Sequence, residues 1–218
     1  DPISIAAGGL QSLALTPGPT RHKAIGVLLF SYLKIKLHLK LAGYDAEFHP
    51  YDWRQSIEDL GAELAARLAD QPGELSIVAH SMGGLVARAA MKSAGAKVKR
   101  LIMLGTPNYG SFVPIQALRA VYQIIRKIAL LDLSRTPEQL VAEVFNTFTG
   151  LYQMLPAPEK FSGFDVFDAA SWPTAGPVPR PALLTLARNT QASLPVPDDR
   201  LMLIAGINQD TVTDAHFD

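Results

Sequence analysis

The stretch that most constrains this chain is Glu74 to Gly84, Glu-Leu-Ser-Ile-Val-Ala-His-Ser-Met-Gly-Gly. Leu75 to Ala79 is a short apolar run with β-branched residues, which is typical of a buried strand. Leu85 to Ala94 has the composition of a helix. The sequence therefore predicts a strand that turns sharply into a helix, with Ser81 at the turn.

Small residues lie where a serine nucleophile on such a turn requires them. Ala79 is two residues before Ser81 and Gly83 two residues after it, the positions that the sheet and helix crowd in a nucleophile elbow. Ala79 differs by one methyl from the usual glycine. The backbone N–H of Met82, at the helix N-terminus, is the expected oxyanion-hole donor. A serine that only caps the helix is the alternative, and the order strand, turn, helix favours the nucleophile.

The composition limits the classes of protein to which this chain can belong. The chain has 218 residues, 48% of them apolar, which suits one domain with a sizeable core. Twenty basic residues balance twenty acidic ones, which argues against nucleic acid as a partner. There is no cysteine, no phosphate-binding glycine loop and no histidine–carboxylate cluster, so we expect no cofactor and no metal.

The two ends of the sequence lack the usual features of a natural terminus. No signal peptide precedes Asp1, and Thr211 to Asp218 ends without a closing helix. No window reaches about 18 uninterrupted apolar residues, so no transmembrane helix is predicted. We therefore expect a soluble chain that is truncated at both ends, and the sequence does not indicate its compartment.

The periodicity predicts an α/β fold. Residues 1–21 are rich in glycine and proline, which predicts irregular structure. Ala24 to Leu41 predicts a helix that ends at Gly43, with its leucines on one face and its lysines in solvent. Tyr44 to Leu104 alternates strand, helix, strand, helix, strand, and a further strand is predicted at Leu201 to Ala205. Crossovers of this length imply a parallel sheet with helices on both faces.

The alternation lapses between about residues 111 and 197, where we predict an inserted cap. Its apolar residues fit either an acyl pocket or the core of the cap. The predicted segments are a helix at Val113 to Leu133, a helix at Pro137 to Phe148, irregular chain at Pro156 to Pro181 and a helix at Pro181 to Ala192.

Four stretches together resemble the lecithin:cholesterol acyltransferase-like lipases. They are Pro50-Tyr51-Asp52-Trp53-Arg54, Ala79 to Gly84, Leu104 to Ser111, and Tyr152-Gln153-Met154-Leu155-Pro156. The resemblance implies an α/β-hydrolase fold: a mainly parallel sheet with helices on both faces and a helical cap insertion, in a single incomplete domain over residues 1–218. It implies a serine-dependent lipid ester hydrolase or O-acyltransferase with an acyl-enzyme on Ser81 and Met82 as oxyanion donor.

The other residues that match family positions have different expected roles. Asp52 and Arg54 are expected to tie a loop together by charge-assisted hydrogen bonds. In this family, the strand that carries the oxyanion loop is expected upstream of Asp1. The family has its catalytic acid in a Gly-Asp-Gly-Thr-Val-Pro stretch, which this sequence lacks. Asp210 and His216 are one option for acid and base, and residues beyond Asp218 are the other. We therefore expect slow turnover from the chain as given.

Two other functions stay open on the sequence. A catalytically inactive hydrolase-like module that binds lipid or a partner is the main alternative, and a serine peptidase is the third option. The implied partner is a lipid or other acyl ester, with a transient contact between the cap and a membrane or lipid surface. The oligomeric state is not indicated.

Overall fold

The computed structural model describes residues 2–8, 29–132, 134–161, 163–208 and 210–215, and only the backbone of residues 2–8 and 29–31. The chain divides into two compact units. The first comprises Asp1–Leu13, His22–Asn108 and Leu194–Gln209, and the second comprises Ala14–Arg21, Tyr109–Ser193 and Asp210–Asp218.

A five-stranded sheet forms the centre of the first unit. Its strand order is β2-β1-β3-β4-β5, and all neighbours are parallel. This arrangement confirms the predicted parallel sheet. The strands are β1 Pro2–Gly8, β2 Asp45–Tyr51, β3 Leu75–His80, β4 Val98–Leu104 and β5 Leu201–Ile204.

Helices cover both faces of the sheet. They are α1 Leu29–Leu41, α2 Ile57–Ala69 and α3 Met82–Ala94. Val78 packs against α1, whereas Ile77 points to the opposite face, where α3 contacts β1, β3 and β4. The predicted cap of α2 is present, because Asp59 N donates to Ser56 Oγ at 3.1 Å.

The prediction of irregular structure at residues 1–21 was wrong for Pro2–Gly8. This segment is a strand in the interior of the sheet, hydrogen-bonded to β2 on one side and β3 on the other. Pairing on both sides stabilises a segment whose glycine and proline neighbours disfavour a strand locally. Asp1 and residues 9–21 lie outside the described residues.

Helix α1 packs through a different face from the predicted leucine face. Tyr32, Ile35 and Leu39 pack towards the sheet, whereas Leu33, Leu37 and Leu41 are exposed. Apolar residues occupy both faces of α1, so periodicity alone could not choose between them. Two contacts hold the observed face inward. They are a hydrogen bond between the Tyr32 hydroxyl and His80 Nδ1, and the Lys36 ammonium 4.5 Å from the Phe48 ring centroid.

Five α-helices are described in the second unit. The predicted single helix at Val113 to Leu133 is instead two helices, because Ala120 adopts a left-handed backbone with φ 59°. Val121 N donates to Gln116 O at 3.0 Å, which closes the end of the first helix. The helices are α4 Val113–Leu118, α5 Gln123–Leu131, α6 Pro137–Glu143, α7 Thr149–Tyr152 and α8 Pro181–Ser193.

A buried polar network organises the second unit around Tyr152. The Tyr152 hydroxyl accepts from Arg180 N at 2.9 Å and donates to the Asn146 side chain, and Asn146 Nδ2 donates to Val178 O at 2.7 Å. Burial raises the pKa of Tyr152 to about 12. Because Tyr109–Ser193 lies in this unit, the unit includes most of the predicted cap, whose assignment as an insertion in one domain stays a prediction.

Among the helices within the described ranges, none is both long and apolar enough to cross a membrane.

Glycine is required at position 84 by close packing in the first unit. A Cβ on Gly84 would overlap the Thr106 side chain. Gly95 lies at the other end of α3, and a Cβ there would be 3.9 Å from the nearest atoms. We expect Gly84→Ala to lower the free energy of unfolding by about 1–3 kcal/mol through overpacking. Gly95→Ala is the matched control and should leave it unchanged or raise it by up to about 1 kcal/mol. Equal effects in urea unfolding would contradict this packing argument.

A second prediction concerns His49 on β2, which is only 5% exposed. Neither ring nitrogen has a hydrogen-bond partner, and burial, helped by the Arg67 charge, lowers the pKa of His49 from 6.5 to about 4. The unfolded chain therefore binds this proton first as the pH falls. Stability should be full above pH 6.5 and fall by about 3 kcal/mol in total towards pH 4. His49→Leu should flatten this pH dependence; an unchanged profile of unfolding free energy would contradict the prediction.

Candidate active site

Ser81 occupies a strained turn between β3 and α3. Its backbone has φ 53° and ψ −131°, a conformation that costs a non-glycine residue about 1–3 kcal/mol. Ser81 N donates to Leu104 O of β4 at 2.9 Å, and Gly84 N donates to Ser81 O at 3.0 Å. The sheet and the first turn of α3 thus fix Ser81 from both sides, with its side chain half-buried.

The residues around this turn are packed as the sequence predicted. Ala79, Gly83 and Gly84 are buried, and Gly84 lies against Thr106, the residue two positions after β4. Met82 is the first residue of α3, so its N–H has no acceptor within the helix. An N–H in this position is suited to stabilise an oxyanion that forms at Ser81.

Strand β1 ends beside the elbow. Ala7 pairs with His80, and β1 extends one residue further, to Gly8. In hydrolases with a nucleophile elbow, the loop after the neighbouring strand supplies the second oxyanion donor. The expectation that this strand lies upstream of Asp1 was therefore wrong, because β1 occupies the position next to β3. Gly9, which follows, lies outside the described residues.

The side chain of His80 is bound to α1. The Tyr32 hydroxyl and His80 Nδ1 are 2.9 Å apart, and the two ring centroids are separated by 5.7 Å. Burial lowers the pKa of His80, which favours the neutral imidazole. The sequence offered no signal for Tyr32, because an aromatic residue on an apolar helix is typical of a core.

An ion pair organises the loop after β2. Arg54 donates to the Asp52 carboxylate from Nε at 2.8 Å and from Nη2 at 2.7 Å, and its backbone N donates at 3.1 Å. Burial alone would raise the pKa of Asp52, but the hydrogen bonds from Arg54 outweigh burial and lower it. These contacts agree with the predicted structural role for Asp52 and Arg54. Tyr51, the preceding residue, is buried, and burial raises its pKa.

Arg88 joins the two points where the chain leaves and re-enters the first unit. This largely buried side chain of α3 donates to Asn108 Oδ1 at 3.1 Å and to Pro195 O at 2.7 Å. Asn108 is the last residue before Tyr109–Ser193, and Pro195 lies just after that segment. Sequence reasoning missed Arg88, because a lone basic residue on a helix usually indicates a solvated face.

Among the residues that the structure describes, no acid or base is hydrogen-bonded to the Ser81 side chain. Within the described ranges, no hydrogen bond joins the Ser81 side chain to a histidine. Asp210 is exposed and belongs to the second unit, and His216 lies outside the described residues. The pair Asp210 and His216 therefore stays a prediction.

The chain is similar to solved structures of lipases and other hydrolases. Bacillus licheniformis lipase BlEst2 in mature form is 21% identical, with a TM-score of 0.44, over 67% of this chain and 56% of that one. Phospholipase PlaB from Legionella pneumophila is 20% identical, with a TM-score of 0.36, over 59% and 29%. A pyrethroid hydrolase from Sphingobium faniae JZ-2 is 17% identical, with a TM-score of 0.38, over 94% and 88%.

Comparison with the curated proteins gave no match. The match to the Bacillus lipase spans little more than half of that lipase's length. A family model described as the alpha/beta hydrolase family matches residues 19–218. This match covers most of the chain and agrees with the parallel sheet and the strained serine after β3. The chain belongs to the alpha/beta hydrolase family.

Proposed function

We propose that this chain is a serine-dependent ester hydrolase or O-acyltransferase that acts through an acyl-enzyme on Ser81. The observation that carries the proposal is the backbone of Ser81, at φ 53° and ψ −131° directly after β3. A folded chain retains such strain chiefly where function needs it. An ordinary helix cap would accept a hydrogen bond at its side chain, and Ser81 makes no such bond.

We propose the following reaction at Ser81. Ser81 Oγ attacks the ester carbonyl while a histidine accepts its proton, and the oxyanion is held by Met82 N–H and by a donor after β1. Collapse of the tetrahedral intermediate expels the alcohol, which takes the proton from the histidine. Water or a second alcohol then accepts the acyl group. The two acceptors distinguish a hydrolase from an acyltransferase.

We further propose a lipid ester as the substrate, with a transient contact of the cap on the lipid surface. The support is the resemblance of four stretches to the lecithin:cholesterol acyltransferase-like lipases. One of them, Tyr152 to Pro156, contributes buried residues to the second unit, including Tyr152, Gln153 and Leu155. The stretch thus has a packing role that fits a cap signature.

A catalytically inactive lipid- or partner-binding module is the second candidate. The observation that favours it is the lack of a hydrogen bond between Ser81 and any histidine in the described part of the chain. An ester hydrolysis assay separates the two candidates, because a binding module gives no turnover that depends on Ser81.

Replacing Ser81 by alanine should remove hydrolysis of a dispersed short-chain aryl ester. Losses of about a million-fold in kcat are typical when a triad serine is removed. Ser76→Ala, at the other end of β3, is the matched control and should keep wild-type activity. Retention of activity within about tenfold in Ser81→Ala would contradict the proposal.

Replacing Ser81 by glycine should separate strain from chemistry. Glycine adopts positive φ without strain, so Ser81→Gly should raise the free energy of unfolding by about 1 kcal/mol after its greater unfolded entropy is counted. Ser81→Ala keeps the Cβ and should stay close to wild type in stability. Both variants should be inactive. A Ser81→Gly protein no more stable than Ser81→Ala in urea unfolding would show that the turn is not strained.

A further inference from the structure

Helix α5 of the second unit exposes several large apolar side chains. Leu130 is 78% exposed, Leu131 83% and Ile124 44%. Ile125 is the one buried residue of this nine-residue helix. Exposed apolar residues scattered singly need no explanation, but a cluster on one short helix indicates a surface that binds something.

The exposed residues of α5 form one face. Exposed Ile124 and Leu131, with the half-buried Ile128 between them, recur at i, i+4 and i+7 and therefore make a continuous stripe along the helix. Lys127 lies between Leu130 and Leu131 around the helix axis. We call the set Ile124, Lys127, Ile128, Leu130 and Leu131, with Arg126 at its margin, the α5 face.

The charged residues of α5 itself, Arg126 and Lys127, are both cationic. The sequence contains no aspartate or glutamate from Tyr109 to Leu131. Asp132, the first carboxylate, pairs with Arg135 at 2.8 Å and accepts from Ser134. Within the described part of the chain, Arg126 makes one long contact, 3.5 Å from Nε to Ala120 O. The cations of α5 are therefore available to an anionic partner.

We infer that the α5 face docks on an anionic phospholipid surface. Leucine and isoleucine side chains enter the boundary between headgroups and acyl chains, and the long side chains of Lys127 and Arg126 reach the phosphate groups. A helix of nine residues that interleaves apolar and cationic groups lies in the plane of such a surface rather than across it. The inference rests on the proposed function for the identity of the substrate, and lipid binding itself is measured without turnover.

Helix α1 offers a matched surface of similar composition. Leu33, Leu37 and Leu41 are exposed, but two of the lysines are already engaged. Lys40 lies 3.4 Å from Asp45, and the Lys36 ammonium is over the Phe48 ring. These contacts favour α5 over α1 as the lipid-binding face and make α1 the control.

The test is cosedimentation of the full chain with vesicles of phosphatidylcholine alone or mixed with phosphatidylglycerol. We expect tighter binding to the mixed vesicles, weakened by salt. Leu130→Ser/Leu131→Ser should lower the partition coefficient by about tenfold on both kinds of vesicle. Arg126→Gln/Lys127→Gln should lower it only on mixed vesicles, by about fivefold per cation. Leu37→Ser/Leu41→Ser and Lys34→Gln/Lys40→Gln are the controls and should bind like wild type.

Several outcomes would overturn the inference. They are no vesicle binding by the wild type, loss of binding in the α1 variants instead of the α5 variants, and equal binding to the two kinds of vesicle. A concentration-dependent dimer that Leu130→Ser/Leu131→Ser abolishes, without vesicle binding, would assign the α5 face to a second copy. Because all substituted side chains are exposed, unchanged thermal unfolding should accompany each result.

Failure of this inference and failure of the proposed function are distinguishable. Ser81→Ala should bind vesicles like wild type, and the α5 variants should hydrolyse a dispersed short-chain ester like wild type. Vesicle binding without any ester hydrolysis would contradict the proposed function alone. Ester hydrolysis without vesicle binding would contradict the α5 inference alone.

Discussion

The strained backbone of Ser81 is the constraint on which the first unit depends. A non-glycine residue at φ 53° persists only if its neighbours hold it. Here the hydrogen bond from Ser81 N to Leu104 O continues the pairing of β3 with β4 through the turn. Helix α3 starts at the next residue and is fixed by the contact between Gly84 and Thr106. The sheet thus positions both the hydroxyl and the N–H of Met82.

The part of the fold built from regular alternation was predictable from the sequence. From Tyr44 to Leu104, short apolar runs and helical apolar patterns coincide with turn residues, so local and tertiary preferences agree. Strand β1 was not predictable, because hydrogen bonds from β2 and β3 stabilise it rather than its own composition. The break between α4 and α5 was also missed, because alanine at Ala120 gives no signal for a left-handed backbone.

The candidate site was predictable only where a local pattern encodes it. Ser81 and Met82 follow from the spacing of small residues. The pairing of Asp52 with Arg54 was expected because a carboxylate and a guanidinium at the end of a strand can tie a loop together. Contacts between distant segments have no such pattern. The hydrogen bond between Tyr32 and His80 and the bonds of Arg88 depend on packing that no short window contains. A triad acid and base meet the nucleophile in the same long-range way.

Covalent labelling tests most directly the central claim, that Ser81 is an activated nucleophile on a strained turn. The wild-type chain is treated with a fluorophosphonate, which esterifies activated serines, and the modified peptide is located by mass spectrometry. We expect one phosphonate per chain, on Ser81, and no modification of Ser76 or of the denatured protein. A label on another serine would contradict this claim. So would a Ser81 hydroxyl that is no more reactive in the folded chain than in the denatured one.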